Sequence, residues 1–148
     1  MITLKRTDSN NPDFRFVGFL DAELSERDGE DHSFYAQFNK VDMIKHVVLA
    51  YNNAEPVGCG AIKAYQEGIA EVKRMFVPLA SRKQGIAAKV LSELEKWALE
   101  LDYAACILET GKKQPEAIAL YQKCGYHITP NYGQYEGVDN SVCMKKDL

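Results

Sequence analysis

The sequence predicts an α/β fold on a mixed sheet, with an antiparallel meander leading into a central βαβ unit. Three observations carry that expectation. Apolar runs at His46–Tyr51, Val57–Tyr65 and Ile69–Val77 follow one another with only short turn segments between them. From Gly85 the apolar period becomes helical, and a continuous apolar run, Tyr103–Thr110, follows that helix. A strand, a helix and a second buried strand in that order place Ile69–Val77 and Tyr103–Thr110 parallel and adjacent.

Ile2–Lys5 reads as a first strand. Asn11 as N-cap and Pro12 at the first helical position then open a helix whose apolar stripe is Phe14, Val17, Leu20 and Leu24, with Gly18 weakening it. Arg27–Lys40 is polar with embedded aromatics and reads as a loop or short helix. Asn52, Asn53, Glu55 and Pro56 supply the turn between the first two meander strands, and Gln66, Glu67 and Gly68 the next. Ile86, Val90, Leu94, Trp97 and Leu101, widened by Ala87, Leu91 and Ala98, form the buried face of the long helix. A second helix runs from Pro115 to Cys124 and stops at Gly125. Tyr126–Ile128 and Ser141–Lys146 close the sheet, separated by Pro130–Asn140. With no repeat, low-complexity tract or long linker, residues 1–148 are expected to form one domain.

Composition excludes several classes. Lys plus Arg number 18 against 21 Asp plus Glu, a net charge of −3, so no global basic field awaits nucleic acid. No apolar run approaches the roughly 20 residues that span a bilayer. The first residues, MITLKRTDSNNPD, lack a signal peptide's hydrophobic region, so the expected compartment is the cytoplasm. Cys59, Cys106, Cys124 and Cys143 are isolated and read as reduced core residues. His32, His46 and His127 show no ligand spacing, and no metal is expected.

The most informative segment is Val72–Ala88, VKRMFVPLASRKQGIAA. A strand stops at Pro78, a basic loop follows, and a helix opens at Gly85. Unpaired N–H groups and the positive end of the helix dipole make that junction an anion site, with Arg82 and Lys83 adding charge. A solvated basic loop is the plainer alternative. Gly-x-x-x-x-Gly-Lys-Ser/Thr occurs nowhere, and Gly58-Cys59-Gly60 lies inside a strand without the third glycine of a dinucleotide fingerprint. Those two glycines read instead as places where something packs close.

Arg82-Lys83-Gln84-Gly85-Ile86-Ala87 resembles the pyrophosphate motif of the GNAT superfamily of acyl-CoA N-acyltransferases, Gln or Arg, x, x, Gly, x, Gly or Ala. A second match is Gln114-Pro115-Glu116-Ala117-Ile118-Ala119-Leu120-Tyr121 followed by Lys123-Cys124-Gly125-Tyr126. It is similar to the family's later helix, whose Tyr lies near the cofactor sulfur; the family usually has Asn where this chain has Gln114. The resemblance implies a GNAT-like sheet with splayed parallel strands and acetyl-CoA as cosubstrate. Gln84, Gly85, Ile86, Ala87 and Ala88 would hold the diphosphate with Arg82 and Lys83, and Gln114 is a further contact. Backbone groups of Met75, Phe76 and Val77 would pair with the pantetheine arm, and one N–H would hold the thioester oxygen.

Acyl transfer to an amine also needs two proton movements. An alkylamine of pKa about 10 is mostly ammonium at neutral pH and must lose a proton before attacking. Glu71, on the strand leading to the cofactor site, is the preferred base, and the family uses an acid there recurrently; a solvated charge beside Lys73 is the alternative. Glu109 is the second candidate, acting through water, or else a cap. Tyr121, a phenol protonated at neutral pH, would protonate the departing thiolate unless it is simply a core residue. A covalent acyl-enzyme through Cys59 or Cys124 is the less simple route.

The expected activity is therefore acetyl transfer to a primary amine, on a small molecule or a peptide, by direct attack. Phe34, Tyr35, Phe38, Tyr132 and Tyr135 either line the acceptor pocket or merely pack. The runner-up is a non-catalytic acyl-CoA-binding or interaction module on the same fold. A nucleotide-binding domain is a third reading. The resemblance also implies a homodimer through the C-terminal strands, and the charge and hydropathy readings above lead us to expect no nucleic-acid or membrane partner.

Overall fold

In the computed structural model, residues 1–17 and 43–148 are described. They form seven strands: β1 (Ile2–Thr7), β2 (His46–Asn52), β3 (Glu55–Gln66), β4 (Ile69–Phe76), β5 (Ala105–Gly111), β6 (His127–Thr129) and β7 (Ser141–Asp147). Residues 12–17 are helical (α1), and two further helices are α2 (Ile86–Glu100) and α3 (Pro115–Lys123). The continuation of α1 through Gly18, Leu20 and Leu24, the stretch Arg27–Lys40 with Phe34, Tyr35 and Phe38, and His32 lie outside the described residues.

All seven strands join one sheet in the order β1-β2-β3-β4-β5-β7-β6. β2 pairs antiparallel with β3, as the meander predicts, and β1 adds antiparallel to the other edge of β2. β4 and β5 are parallel, and their ladder consists of Ile69↔Ala105, Ala70↔Cys106 and Glu71↔Ile107. It ends there, although β4 continues to Phe76 and β5 to Gly111. β5 instead keeps an antiparallel partner over its whole length in β7, from Ala105↔Asp147 to Gly111↔Ser141. The last strand thus lies between β5 and β6, an order that periodicity alone does not specify.

The chain forms two compact units, Met1–Lys63 with Lys73–Leu94, and Ala64–Val72 with Glu95–Leu148. In the first, Phe14, Val17, Ile44, Val47, Leu49, Cys59, Ala61 and Phe76 form one buried cluster. Asn11 caps α1 as expected, its Oδ1 accepting the Asp13 N–H at 2.9 Å. Gly58 and Gly60 permit close packing, and what packs there is α2 and the end of β4. A Cβ at Gly60 would lie 2.9 Å from Val90 Cγ1 and Leu94 Cδ1 and 2.5 Å from Met75 Sδ. Gly60→Ala therefore overfills this contact, and unfolding in urea should show a loss of about 1–3 kcal/mol.

Two expected boundaries move for one physical reason. The sequence reading carries the apolar face of α2 to Leu101 and starts the next strand at Tyr103, but Asp102 adopts φ +70° and ends the helix. Its N–H donates to the Leu99 carbonyl and the Tyr103 N–H to the Ala98 carbonyl, both at 3.0 Å, which is a Schellman motif. Leu101 consequently lies beyond the helix, partly exposed, and β5 begins only at Ala105. Aspartate tolerates the left-handed conformation less readily than glycine, so the sequence carries no clear stop signal here.

Candidate functional site

The first unit carries the junction that the sequence marks as an anion site. β4 contains a left-handed residue, Arg74 at φ +60°. Its carbonyl accepts the Cys59 thiol at 3.2 Å. Neither feature is announced by residue type. After Val77 a 3₁₀ turn, Leu79–Ser81, leads to Arg82, Lys83 at φ +66°, Gln84 and Gly85 at φ +75°, and then to α2. A Cβ on Gly85 would meet no atom of the described residues within 4 Å, so it is the backbone conformation that demands the glycine. The N–H groups in the first turn of α2 have no intrahelical acceptors, which leaves donors for an anion at this opening.

Arg82 does more than supply charge. Its Nε–H donates to the Val77 carbonyl at 2.9 Å, and its guanidinium lies 5.9 Å from the centroid of the buried Phe76 ring. The side chain thus ties the loop to the end of β4, while the other guanidinium N–H groups remain as donors. Lys83, Gln84 and Gly85 are exposed, Ile86 is buried in the core, and Ala87 and Ala88 are half-buried. Met75 is half-buried beside Gly60, and Phe76 and Val77 are buried, so these three can offer a ligand their backbone rather than their side chains.

The second unit gathers the titratable groups. Glu71 is 9 % exposed, and Tyr132, far away in sequence, donates its hydroxyl to Glu71 Oε2 at 2.7 Å. Glu71 is therefore a buried, hydrogen-bonded carboxylate and not a solvated strand charge. Glu109 Oε2 accepts the hydroxyl of Ser141 on the paired strand β7, also at 2.7 Å. Tyr132 packs edge-to-face on Tyr65, with centroids 5.1 Å apart, and on Tyr135, at 5.5 Å. Burial and the bond to Glu71 raise the Tyr132 pKa, and burial followed by the charges of Glu109 and Glu71 does the same to Tyr135. Both phenols stay protonated donors at neutral pH.

Tyr121 owes its position to Gly125. At φ +100°, Gly125 closes a Schellman motif on α3, with its own N–H on the Gln122 carbonyl and the Tyr126 N–H on the Tyr121 carbonyl. That geometry brings the Tyr126 ring edge-on to Tyr121, with centroids 6.0 Å apart. Lys146, paired with Glu95 at 2.9 Å, places its Nζ 5.9 Å from the centroid of the Tyr126 ring. Tyr121 is 8 % exposed, burial pushes its pKa up to about 12, and its hydroxyl makes no hydrogen bond to any described residue. Gln114 precedes α3 without a side-chain capping bond, so its exposed amide is available to a ligand.

The structure thus brings Arg82–Ala88 together with Met75–Val77 in one unit, and Glu71 with Tyr132 and Tyr135 in the other. The Tyr132 hydroxyl bond to Glu71 and the Ser141 bond to Glu109 are what the sequence reading missed, because their partners are distant along the chain. Among the described residues no group of three or more His, Cys, Asp or Glu is placed to hold a metal. No helix among them is long and apolar enough to cross a membrane.

A mixed sheet with a parallel pair that ends early, followed by a glycine-opened helix N-terminus, is the architecture of an acyl-CoA-dependent acyltransferase. A profile of the acetyltransferase (GNAT) family matches residues 8–126, and the chain belongs to that family. It is similar to the IAA acetyltransferase of Azospirillum brasilense, 38 % identical over 102 residues, which cover 68 % of this chain and 67 % of the relative. An uncharacterized N-acetyltransferase of Bacillus subtilis, YsnE, is 31 % identical over 101 residues, 67 % of each chain. Among solved structures, a protein from Klebsiella pneumoniae provisionally assigned as an acyl-CoA N-acyltransferase superposes with a TM-score of 0.82 at 29 % identity, covering 100 % of this chain and 98 % of that one. A GNAT acetyltransferase from Elizabethkingia anophelis with acetyl-CoA bound has the same fold, with a TM-score of 0.72 at 21 % identity over 99 % and 98 % of the two chains. The enzyme is an acyltransferase.

Proposed function

We propose that this enzyme moves an acetyl group from acetyl-CoA to a primary amine by direct attack, with Glu71 as proton acceptor and Tyr121 as proton donor. The observation that carries the reading is Tyr121: a phenol nine-tenths buried, with no partner for its hydroxyl among the described residues, on the helix where the family places its tyrosine. Acetyl-CoA supplies an activated acyl group with a thiolate leaving group. The open backbone at Gly85 and the free N–H groups of α2 fit its diphosphate, with Arg82, Lys83 and Gln84 beside them and Ile86, Ala87 and Ala88 forming the first helical turn. Beyond the last β4–β5 pair, the backbone of Met75–Val77 suits a pantetheine amide arm, and Gln114 is a further polar contact.

Glu71 takes the proton that the acceptor ammonium must lose, directly or through water; Glu109 is the alternative acceptor. As the new C–N bond forms and the C–S bond breaks, Tyr121 gives its proton to the sulfur, and the proton that the nitrogen then sheds in becoming an amide returns through water to the phenolate. The pairing of Tyr132 with Glu71 and the closeness of Tyr135 support placing the amine beside these aromatic rings. Small amines and free peptide amines both suit that chemistry. The family match, spanning residues 8–126, includes segments of both compact units and supports a single catalytic domain. We place the enzyme in the cytoplasm, and a homodimer remains the assembly the resemblance implies.

The test is a thermal-shift series followed by turnover. Acetyl-CoA should raise the melting temperature in proportion to ln(1 + [L]/Kd), and ATP and NAD should not. Thiol release should then depend on one of a panel of amines: an aminoglycoside, spermidine, tyramine, an amino-acid amide and a peptide with a free N-terminus. Acetyl-CoA binding without release by any amine would favour a non-catalytic binding module.

A further inference from the structure

We infer that Tyr132 is a positioning residue for the base: its hydroxyl, donated to Glu71 Oε2, holds that carboxylate in one orientation. The inference rests on the reading of Glu71 as the proton acceptor. The contact is short, 2.7 Å, and Glu71 is 9 % exposed, so water competes poorly for the same oxygen. A charge-assisted bond in such surroundings stabilises the carboxylate more than the same bond at the surface.

The phenol is itself held on two sides. Tyr65 meets it with planes at 72° and Tyr135 with planes at 89°, so its ring has little freedom to swing away. The backbone below is fixed by Asn131, whose Nδ2 donates to the carbonyls of Tyr135 at 3.1 Å and Val138 at 3.0 Å. That amide clasps the 3₁₀ turn Gly133–Tyr135. Gly133 sits at φ +53°, and a Cβ there would lie 3.4 Å from the Tyr65 hydroxyl. Turn, amide clasp and ring contacts therefore converge on one phenol, and that phenol bonds the candidate base.

A ring that only filled space would not need its oxygen. The charge of Glu71 reaches Tyr132 and Tyr135 of the late loop and Cys143 of β7, and the charge of Glu109 on β5 also reaches Tyr135 and Cys143. Of these, Tyr132 has a side-chain hydrogen bond to Glu71. A donor to the ionised form lowers a carboxyl pKa, so removing it must raise that pKa.

The experiment replaces Tyr132 by Phe, which keeps the ring and deletes the bond. The Glu71 carboxyl is followed by 13C NMR of glutamate-labelled protein, assigned by its disappearance in Glu71→Gln. Its pKa should rise by about one unit in Tyr132→Phe, the size expected of a hydrogen bond to a charged group. With the amine from the panel that supports turnover, kcat on the acidic limb of the pH profile should fall about tenfold. The ascending limb of its pH profile should move up by the same unit, and the KM for acetyl-CoA should stay unchanged. Asn131→Ala, which keeps the hydroxyl but loosens the turn, should shift the pKa in the same direction by less. An unmoved Glu71 pKa in Tyr132→Phe overturns the inference. Full turnover in Glu71→Gln overturns the base assignment instead, which the NMR titration of the Tyr132 bond does not depend on.

Discussion

Glu71→Gln should lower amine-dependent kcat about 10²–10³-fold, while acetyl-CoA still raises the melting temperature as it does in the parent enzyme. The amide keeps the size of the carboxylate and can still accept the Tyr132 hydroxyl on its carbonyl oxygen, so the hydrogen bond of 2.7 Å need not be lost. What disappears is the capacity to take a proton from an ammonium. The defect should shrink as pH rises toward the amine's own pKa of about 10, because the free amine then arrives without help. Rate measurements from neutral to alkaline pH check this. A defect of the same size at every pH would mean that Glu71 binds or orients the acceptor and does not deprotonate it. An unaltered rate would move the base assignment to Glu109, whose carboxylate is engaged by Ser141.

The second large effect is expected of Tyr121→Phe, a loss of about 10²-fold in kcat with little change in acetyl-CoA affinity. The ring would stay in place, because the Schellman motif at Gly125 and the edge contact with Tyr126 involve backbone and ring, not the hydroxyl. Burial pushes the Tyr121 pKa up to about 12, so the parent enzyme should keep this donor through neutral and mildly alkaline pH. Its kcat should not decline on account of Tyr121 until pH approaches that value. Leaving-group substitution separates the donor role from packing. A donor acyl-thioester whose thiol is more acidic than that of coenzyme A needs less protonation on departure, and Tyr121→Phe should lose less rate with it. Equal losses with both donors would indicate a packing role for the phenol.

Several parts of this site were legible before the fold was known because they are local. Arg82 to Ala87 form a contiguous motif, and Gly85 precedes a helix whose period is visible in Ile86, Val90 and Leu94. The stop at Gly125 was legible for the same reason, since glycine alone adopts φ near +100° at low cost. The stop at Asp102 was not, because aspartate at φ +70° contradicts its usual preference and is held there by the two terminal hydrogen bonds of α2.

By itself, then, the sequence determined the class of fold, the helix N-terminus opened by Gly85 and the position of the tyrosine on α3. Each depends on periodicity or on the backbone preferences of adjacent residues. Only the tertiary structure decided the environment of Glu71. Its burial, its bond to a tyrosine sixty-one positions away and the packing of Tyr65 on that tyrosine all depend on contacts between distant segments. The same holds for the early end of the β4–β5 ladder and for β7 lying beside β5. Local propensity fixes which elements form, but the strength of a carboxylate as a base is set by which groups surround it, and that follows only from how the elements pack.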